Sequence, residues 1–401
     1  MRRFLTFIFI CVAASLCLAG CSSKKEEPLR IWTGMDAEYP KVVELCERFQ
    51  HESGIKVEPL KVPFADLRDK FLIASPAGLG PDVLMGPQDW IGVLTIAGLL
   101  APVDLKCDDY AEVARKAVAF DNKHYSYPLC MECIAPLRNK KLMPNEPKTM
   151  QELVDNAVKI QEESHGDIKG FYFQINEFYY SLPFFTAEGA YLLGEKDGNY
   201  DITDIGIDNE GAIRAAKFLR DLRQKYKLIA PGATENLSKS LFTEGKAAVI
   251  LNGPWVLKGI KDAGIDYAID PFPVTESGGK PRPVVGVQGL MINKNARYPE
   301  EAQKLVEFFS RPENMAALSA FSGRPPVRTS AVELVSNDPD IMAFYEIAAA
   351  GVPMPTHPAV GPIWEPMKQA LELIANDQIS AEEELKITHG QIVQKIQLML
   401  E

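Results

Sequence analysis

The sequence lacks an excess of positive charge. Its 401 residues include 43 lysines and arginines against 54 aspartates and glutamates, which gives a formal net charge of −11. Proteins that bind nucleic acid or dock on anionic membranes need a basic surface, so the composition argues against both classes. Hydrophobic residues make up 46% of the chain and charged residues 24%, as in soluble globular proteins with a sizeable core. The length predicts two or three domains.

The common signatures of catalysis and metal binding are also missing. There is no P-loop, no G-x-G-x-x-G after a strand, no H-E-x-x-H and no G-x-S-x-G, and the five histidines are scattered. Asp197-x-Asn199-x-Asp201 is similar to the start of an EF-hand loop, but Ile202 stands where the turn glycine is needed. The pattern therefore predicts a hairpin turn. We expect no catalytic residue, no metal and no cofactor.

Long apolar runs are absent after the first twenty residues. Arg2 and Arg3 precede one run, residues 4–20, that is interrupted only by Thr6 and Ser15. A membrane-spanning helix needs about 20 apolar residues, so this run is short for that purpose. Its length and its basic flank are typical of a secretory signal peptide.

The apolar run ends in Leu18-Ala19-Gly20-Cys21, which is similar to a bacterial lipobox. We therefore expect residues 1–20 to be a lipoprotein signal peptide and residues 21–28 to be a tether, anchored in the membrane by lipid on Cys21. The protein would then be exported and face the periplasm or the cell exterior. The alternative is a plain signal peptide in which Cys21 is incidental.

Few cysteines remain for the folded part of the chain. Cys130 and Cys133 form a C-x-x-C motif, the others being Cys46 and Cys107. The motif lies within residues 124–137, which are rich in tyrosine, leucine and isoleucine and predict a strand. Residues three apart on a strand point to opposite faces, so the two sulfurs should diverge and the motif is interpreted as accidental.

Strand and helix patterns alternate in the first part of the chain, with short connections between them. This alternation predicts a parallel sheet covered by helices. Thr149-x-x-Glu152 predicts the start of a later helix by a capping box. Residues 381–401 predict a terminal helix with Ile387, Ile392, Ile396 and Leu400 on one face. The first predicted elements are strands at 29–32, 55–60 and 81–85 and helices at 42–53 and 64–74.

The stretch F-T-E-G-K-A-A-V-I-L-N-G-P-W at residues 242–255 resembles the extracellular solute-binding proteins of ABC importers, particularly the maltose- and maltodextrin-binding ones. The resemblance covers nearly the whole chain after the tether. Further segments that resemble this family, in the same order, are residues 29–49, 80–100, 127–142, 200–211, 284–293 and 354–367.

The resemblance implies an α/β fold of the periplasmic-binding-protein type, with two lobes and a ligand cleft at the hinge. Each lobe is expected to be a mixed sheet flanked by helices. The N-terminal lobe would comprise residues 29–131 plus 286–334, and the C-terminal lobe residues 132–285 plus 335–401. The hinge would lie near residues 130–135, 284–287 and 334–338.

The resemblance also implies a set of ligand-binding residues. Sugars present hydroxyl groups to charged side chains and flat C–H faces to aromatic rings. From the residues alone, a lone carboxylate such as Asp36 could equally be a solvated surface group, and Trp255 could be core. The implied ligand-binding residues are Asp36, Asp89, Trp90, Glu132, Glu177, Tyr179, Trp255, Trp364 and Lys368.

Several positions depart from the family pattern, and we expect them to reshape the pocket. Ala37 replaces a lysine, Gly86 and Leu182 each replace a tryptophan, Phe178 replaces a proline, and Trp90 replaces an arginine. A maltodextrin is the implied ligand, while the departures leave another sugar or sugar derivative open.

The function implied is that of a monomeric, lipid-anchored receptor without enzymatic activity. It would capture an oligosaccharide and deliver it to the membrane permease of an ABC importer by hinge closure, and it would bind no nucleic acid. A secreted carbohydrate-active enzyme that uses Asp89, Glu132 or Glu177 is the alternative from another class, and a sensor with the same fold is a third.

Overall fold

The computed structural model describes residues 27–105, 108–196 and 199–400. The predicted signal peptide, Cys21 and Cys107 lie outside these residues. Within the described ranges, no helix is both long enough and apolar enough to cross a membrane.

Fourteen strands are found in the described residues. Most of them belong to two sheets, which define two lobes. In chain order the strands are β1 (Leu29–Thr33), β2 (Val57–Lys61), β3 (Val83–Pro87), β4 (Ala119–Phe120), β5 (Lys123–His124), β6 (Tyr127–Glu132), β7 (Ala135–Asn139), β8 (Lys169–Tyr172), β9 (Gly194–Lys196), β10 (Asn199–Asp201), β11 (Ala247–Asn252), β12 (Tyr267–Ile269), β13 (Val284–Ile292) and β14 (Val352–Pro353).

Helices cover the sheets and connect their strands. In chain order they are α1 (Tyr39–Ser53), α2 (Phe64–Ala74), α3 (Ile91–Ile96), α4 (Glu112–Ala117), α5 (Met150–Glu163), α6 (Phe178–Ala187), α7 (Glu210–Gln224), α8 (Glu235–Thr243), α9 (Leu257–Asp262), α10 (Pro299–Phe309), α11 (Pro312–Ser322), α12 (Thr329–Val335), α13 (Pro339–Ala349), α14 (Gly361–Ala375) and α15 (Ala381–Leu400). Short 3₁₀ helices at Gln88–Trp90, Pro254–Val256 and Pro358–Val360 follow strands or precede helices.

The first lobe is built on a sheet with the strand order β14-β13-β3-β1-β2, and β6 also pairs with β13. β1 is parallel to β2 and β3, whereas β13 is antiparallel to β3 and β6. The predicted parallel arrangement of the first three strands is confirmed. Because β1, β2 and β3 run the same way, the loops that follow them lie along one edge of the sheet.

The second lobe is built on a sheet with the order β12-β7-β11-β8. β11 is parallel to β8 and antiparallel to β7. The chain passes from the first sheet to the second between Glu132, the last residue of β6, and Ala135, the first residue of β7. The expected two-lobed α/β architecture with mixed sheets is thus confirmed.

Local sequence signals agree with several helix ends. The side chain of Thr149 accepts a hydrogen bond from the backbone N–H of Glu152 at 3.2 Å, which confirms the predicted cap. Gly54 adopts a left-handed conformation with φ of 75° directly after α1, a backbone state that a residue with a Cβ adopts at a cost.

Two details of the sequence interpretation are wrong. The single strand predicted at residues 124–137 is three strands, because the chain changes sheets within it. Ile387 is 45% exposed, so the apolar face of α15 uses Leu385 in its place. Cys130 and Cys133 are both buried free thiols. β9 and β10 pair antiparallel, as a hairpin requires, and the turn between them lies outside the described residues.

Candidate functional site

The cleft between the lobes contains a cavity of about 690 Å³. Pockets that hold small-molecule ligands commonly measure about 300–1,000 Å³, so the cavity is large enough for one. Eight of the nine expected ligand-binding residues line it: Asp36, Asp89, Trp90, Glu132, Glu177, Tyr179, Trp255 and Trp364. Lys368 is not in the lining, but its Nζ atom lies 3.7 Å from Oε2 of Glu177.

The wall from the first lobe is formed where parallel strands end. Asp36 follows β1, Phe64 follows β2, and Asp89 follows β3. In open α/β sheets, ligands bind outside the carboxyl ends of the strands, and this wall has that geometry. The side chain of Asp36 is 72% exposed and pairs with Lys61 at 3.2 Å, so it lies at the outer part of the cleft.

The wall from the second lobe is largely aromatic and acidic. Trp255 lies in the 3₁₀ turn after β11, and its Nε1 donates a hydrogen bond to Oε1 of Glu235 at 2.8 Å. Trp364 lies in the first turn of α14. Both rings are partly buried and both line the cavity, so part of each ring is available to a ligand.

The floor of the cavity is a buried ionic cluster that the sequence interpretation missed. The Nε atom of Arg324 lies 2.6 Å from Oε2 of Glu132, and its Nη1 atom pairs with Glu38. Gln288 donates a hydrogen bond from Nε2 to Oε1 of Glu132 at 2.7 Å. The Arg324 guanidinium also lies 5.5 Å from the centre of the Trp255 ring, so it joins the floor to the wall of the second lobe.

Two carboxyl groups in the cleft have strongly perturbed acidity. Burial raises the pKa of Asp89 to about 6, although its backbone hydrogen bond and Arg68 act in the opposite direction. Burial raises the pKa of Glu132 to about 7, with a further contribution from the nearby charge of Asp89. Among the ion pairs of the described residues, none involves Asp89. A carboxylate in this position is prepared to accept hydrogen bonds from ligand hydroxyls.

Other polar atoms of the lining have no hydrogen-bonding partner among the described residues. They are the hydroxyl of Tyr179, Nε2 of Gln88 and Oε1 of Gln288. Burial raises the pKa of Tyr179 well above its ordinary value, so its hydroxyl keeps its proton and can donate it in a hydrogen bond. Buried polar groups are normally paired, so these atoms are suited to hydroxyl groups of a ligand.

Two of the departures from the family pattern act differently from what we expected. Phe178 is fully buried and does not line the cavity; its ring packs 6.1 Å from the ring of Trp364. Leu182 is likewise buried. Because it packs against Trp364 outside the cavity, Phe178 supports the Trp364 ring from behind. Gly86 lies beneath Trp90, since a Cβ atom at residue 86 would lie 2.7 Å from that ring.

Several lining residues were not expected from the sequence, namely Glu38, Phe64, Glu235, Lys239, Gln288 and Arg324. Phe64 and Glu38 follow predicted strands, and that position could have marked them. Nothing in the local sequence marks Arg324 or Glu235, because they reach the cleft through tertiary packing. Among the described residues, no group of three or more histidine, cysteine, aspartate or glutamate side chains is arranged to hold a metal ion.

The acidity of Asp89 yields a stability prediction. A carboxyl group whose pKa is raised by folding stabilises the folded state below its unfolded pKa and loses that contribution as the pH rises through its folded pKa. At pH 7.5 we therefore expect Asp89→Asn to raise the free energy of unfolding of the unliganded protein by about 1–2 kcal/mol. The gain should disappear as the pH falls towards 4, which urea unfolding at several pH values will measure.

A control for this prediction is Asp36→Asn, which removes an exposed carboxylate from the same cleft. Its free energy of unfolding should stay within about 0.5 kcal/mol of the wild type. If Asp89→Asn destabilises the unliganded protein at pH 7.5, Asp89 makes a stabilising contact as an anion and the interpretation of its burial is incorrect.

Comparison with known proteins identifies relatives along almost the full chain. The family profile described as bacterial extracellular solute-binding protein matches residues 44–343. The galactooligosaccharide-binding protein of Bacillus subtilis (strain 168) is 31% identical, over 96% of this chain and 95% of that protein. The maltotriose-binding protein of Pyrococcus abyssi (strain GE5 / Orsay) is 30% identical, over 94% of this chain and 84% of that protein.

Solved structures show the same fold. The Thermus thermophilus maltotriose binding protein bound with maltotriose has a TM-score of 0.86 and 31% identity, over 92% of this chain and 100% of that one. A cyclo/maltodextrin-binding protein complexed with maltotetraose has a TM-score of 0.80 and 28% identity, over 94% of this chain and 99% of that one.

Proposed function

Because the chain belongs to the family of bacterial extracellular solute-binding proteins, we propose that it captures an oligosaccharide and delivers it to the permease of an ABC importer. The observation that carries this proposal is the composition of the cleft, in which carboxylates and aromatic rings line one cavity. Carboxylates accept hydrogen bonds from sugar hydroxyls, and aromatic rings stack on the apolar faces of sugar rings.

We propose that the nine expected residues contact the ligand directly, except that Lys368 acts through Glu177. Burial raises the pKa of Glu177, and Lys368 opposes that rise. The cation thereby helps to keep the carboxylate charged, which makes it a better acceptor for a hydroxyl group.

Ligand capture by hinge closure is part of the proposal. The lobes would comprise residues 29–131 plus 286–334 and residues 132–285 plus 335–401, with hinges near residues 130–135, 284–287 and 334–338. Of the second set, Glu132, Val284, Val285 and β14 pair within the first sheet, so they are counted with the first lobe. A ligand that contacts both lobes favours the closed state by its greater affinity for it. The ionic floor lies on the first lobe and Trp255 on the second, so both lobes supply lining residues.

The alternatives differ in the ligand or in the chemistry, so each is tested separately. We take an α-linked maltodextrin as the first candidate for the ligand. The Pyrococcus relative and both solved structures are named for such sugars, whereas the Bacillus subtilis relative is named for galactooligosaccharides. An enzyme that cleaves the sugar is the alternative from another class. Against it, Glu132 is engaged by both Arg324 and Gln288 and is poorly placed to transfer a proton.

The proposal predicts saturable binding without turnover. The chain from Ser22 onward contains every described residue and all four tryptophans, of which Trp90, Trp255 and Trp364 line the cavity. Titration of its tryptophan fluorescence with maltotriose, maltotetraose and β-galactooligosaccharides should give a saturable change with at least one series. Chromatography of the sugar after prolonged incubation should return it unchanged.

Each failure has a different meaning. Shortened sugars in the incubated sample would establish an enzyme and refute the receptor. A flat response to every oligosaccharide, together with a folded protein by circular dichroism, would exclude this ligand class while leaving the family membership intact. Saturation by galactooligosaccharides alone would replace the maltodextrin as ligand.

We propose further that lipid on Cys21 holds the receptor at the membrane, that the protein is a monomer and that it needs no cofactor. Two Streptococcus pneumoniae relatives are named as maltooligosaccharide ABC transporter solute-binding lipoproteins, which supports the anchor. Mass spectrometry of the membrane fraction should find a lipid-modified N-terminal peptide, and Cys21→Ser should release the protein from that fraction.

A further inference from the structure

Phe64 is an exposed aromatic residue in the wall of the cleft. Phe64 is 49% exposed, although it lines the same cavity as the buried ionic floor. Large apolar side chains are usually withdrawn from water, and an exposed one in a ligand cleft offers surface for a partner.

The Phe64 ring is held in place from behind. The Trp90 ring lies 5.4 Å away, centre to centre, at an angle of 33°, and Trp90 itself is only 6% exposed. A Cβ atom at residue 34 would lie 2.9 Å from Cα of Phe64, so Gly34 allows the loop after β1 to approach it closely. Pro63 precedes it with φ of −50°, which fixes the entry into α2. The ring is therefore a prearranged platform, and ordering it on binding costs little.

The position of Phe64 in the sheet places it at the outer end of the cleft. Two residues of the ionic floor, Glu132 and Gln288, lie in β6 and β13, whereas Asp89 follows β3 and Asp36 follows β1. Phe64 follows β2, which is the edge strand on the far side of the sheet from β6. Neighbouring strands are about 4.8 Å apart, so the edge strand lies roughly 10 Å from β3. The binding surface of the first lobe thus extends outwards from the hinge strands to Phe64.

Polar groups accompany the ring at this outer end. Asp36 lines the cavity beside Phe64, and Lys61, the last residue of β2, pairs with Asp36 at 3.2 Å. Both side chains are about half exposed or more, unlike Glu132 and Arg324 on the floor. An aromatic face next to an exposed donor and acceptor matches a sugar ring, which has an apolar face and a rim of hydroxyls.

We propose that Phe64, with Asp36 and Lys61, forms an outer subsite for an additional sugar unit, so that the protein prefers oligosaccharides of three or more units to disaccharides. This inference rests on the proposed function and adds a chain-length preference to it. Trp90 then supports the Phe64 ring in addition to the ligand contact proposed for it, and only a small part of its own surface is exposed.

The test compares affinities across chain length in the maltose series, measured by calorimetry with the disaccharide, the trisaccharide and the tetrasaccharide. Phe64→Ala should weaken binding of the trisaccharide and the tetrasaccharide about tenfold and leave the disaccharide within about threefold of the wild type. Phe64→Tyr keeps an aromatic face and should preserve the preference. Ile73→Ala, at an exposed apolar residue of the same helix that does not line the cavity, should change no affinity.

The outcomes separate the subsite from the proposed function. If the wild type binds none of these sugars or the matching galactooligosaccharides, both proposals fail. If the wild type binds them and Phe64→Ala has the same affinities at every length, only the subsite is refuted. An equal loss for all three sugars also refutes it, since Phe64 would then belong to the inner site.

Discussion

Arg324→Met is expected to lower the free energy of unfolding by about 3–5 kcal/mol at pH 7.5. Arg324 is 7% exposed and pairs with Glu38 and Glu132, which are also largely buried. Removal of the shared cation leaves two carboxylates close together in a region of low polarity. The Coulomb attraction that offset their desolvation is lost, and their mutual repulsion remains.

The loss of stability in Arg324→Met should be larger at high pH than at low pH. Burial already raises the pKa of Glu132 to about 7, and removal of the neighbouring guanidinium should raise it further. A carboxyl group with a raised pKa stabilises the folded state when the pH is low enough to protonate it. Urea unfolding should therefore show a smaller deficit for Arg324→Met at pH 5.5 than at pH 7.5.

Arg311 provides a matched control on the surface. Its guanidinium also contacts a carboxylate, Glu52 at 2.8 Å, and an aromatic ring, Phe308 at 4.8 Å, but its side chain is 48% exposed. Exposed ion pairs contribute about 0–1 kcal/mol, so Arg311→Met should have a small effect. If Arg311→Met and Arg324→Met lower the free energy of unfolding equally, burial does not explain the effect of Arg324→Met. The double variant Arg324→Met with Glu132→Gln should recover part of the loss, because it removes one of the unpaired charges.

The sequence identified those parts of the fold that depend on local patterns. The strands at β1, β2 and β3 and the helices between them were expected within a few residues, because alternation, glycine and capping signals are local. The strand predicted at residues 124–137 was wrong in one respect. Its apolar content is continuous across Cys133 and Ile134, both fully buried, so composition alone could not reveal that the chain changes sheets there.

The site residues also divide into those marked by local sequence patterns and those placed by tertiary contacts. Asp36, Asp89 and Trp255 follow strands, so a resemblance anchored on those strands could point to them. Arg324 lies in a loop after α11 and reaches Glu132 across 192 positions of sequence. The backbone near it pairs with β6 through the bridge between Cys130 and Pro326, which is a tertiary contact. No pattern of residues near position 324 predicts such a partner.

Trp255→Ala is expected to weaken oligosaccharide binding by at least about a hundredfold, the largest loss among the single changes in the cleft. Its ring is partly exposed to the cavity, and its Nε1 is fixed by Glu235 at 2.8 Å. A large, rigid aromatic surface contributes strongly to binding, and a hundredfold loss corresponds to about 2.7 kcal/mol. Calorimetric titration with the best-binding sugar will measure it, with circular dichroism to verify that the variant is folded.

Trp255→Phe separates the stacking surface from the hydrogen bond. It keeps an aromatic ring and loses the donor to Glu235, so we expect a loss of about tenfold or less. Glu235→Gln keeps an acceptor for Nε1 and should stay close to the wild type. Binding by Trp255→Ala within tenfold of the wild type would show that Trp255 is mainly a packing residue, since its ring also packs against buried apolar side chains of two separate hydrophobic cores.

The contact between Trp255 and Arg324 links the two predictions. Trp255 belongs to the second lobe, and Arg324, 5.5 Å from its ring centre, lies on the floor formed by the first. A ring that contacts both the ligand and the opposite lobe should favour the closed state through both contacts. We therefore expect the ligand-induced decrease in the radius of gyration, measured by X-ray scattering at saturating sugar, to be smaller in Trp255→Ala than in Trp364→Ala. An equal decrease in the two variants would mean that Trp255 contributes to affinity without contributing to closure.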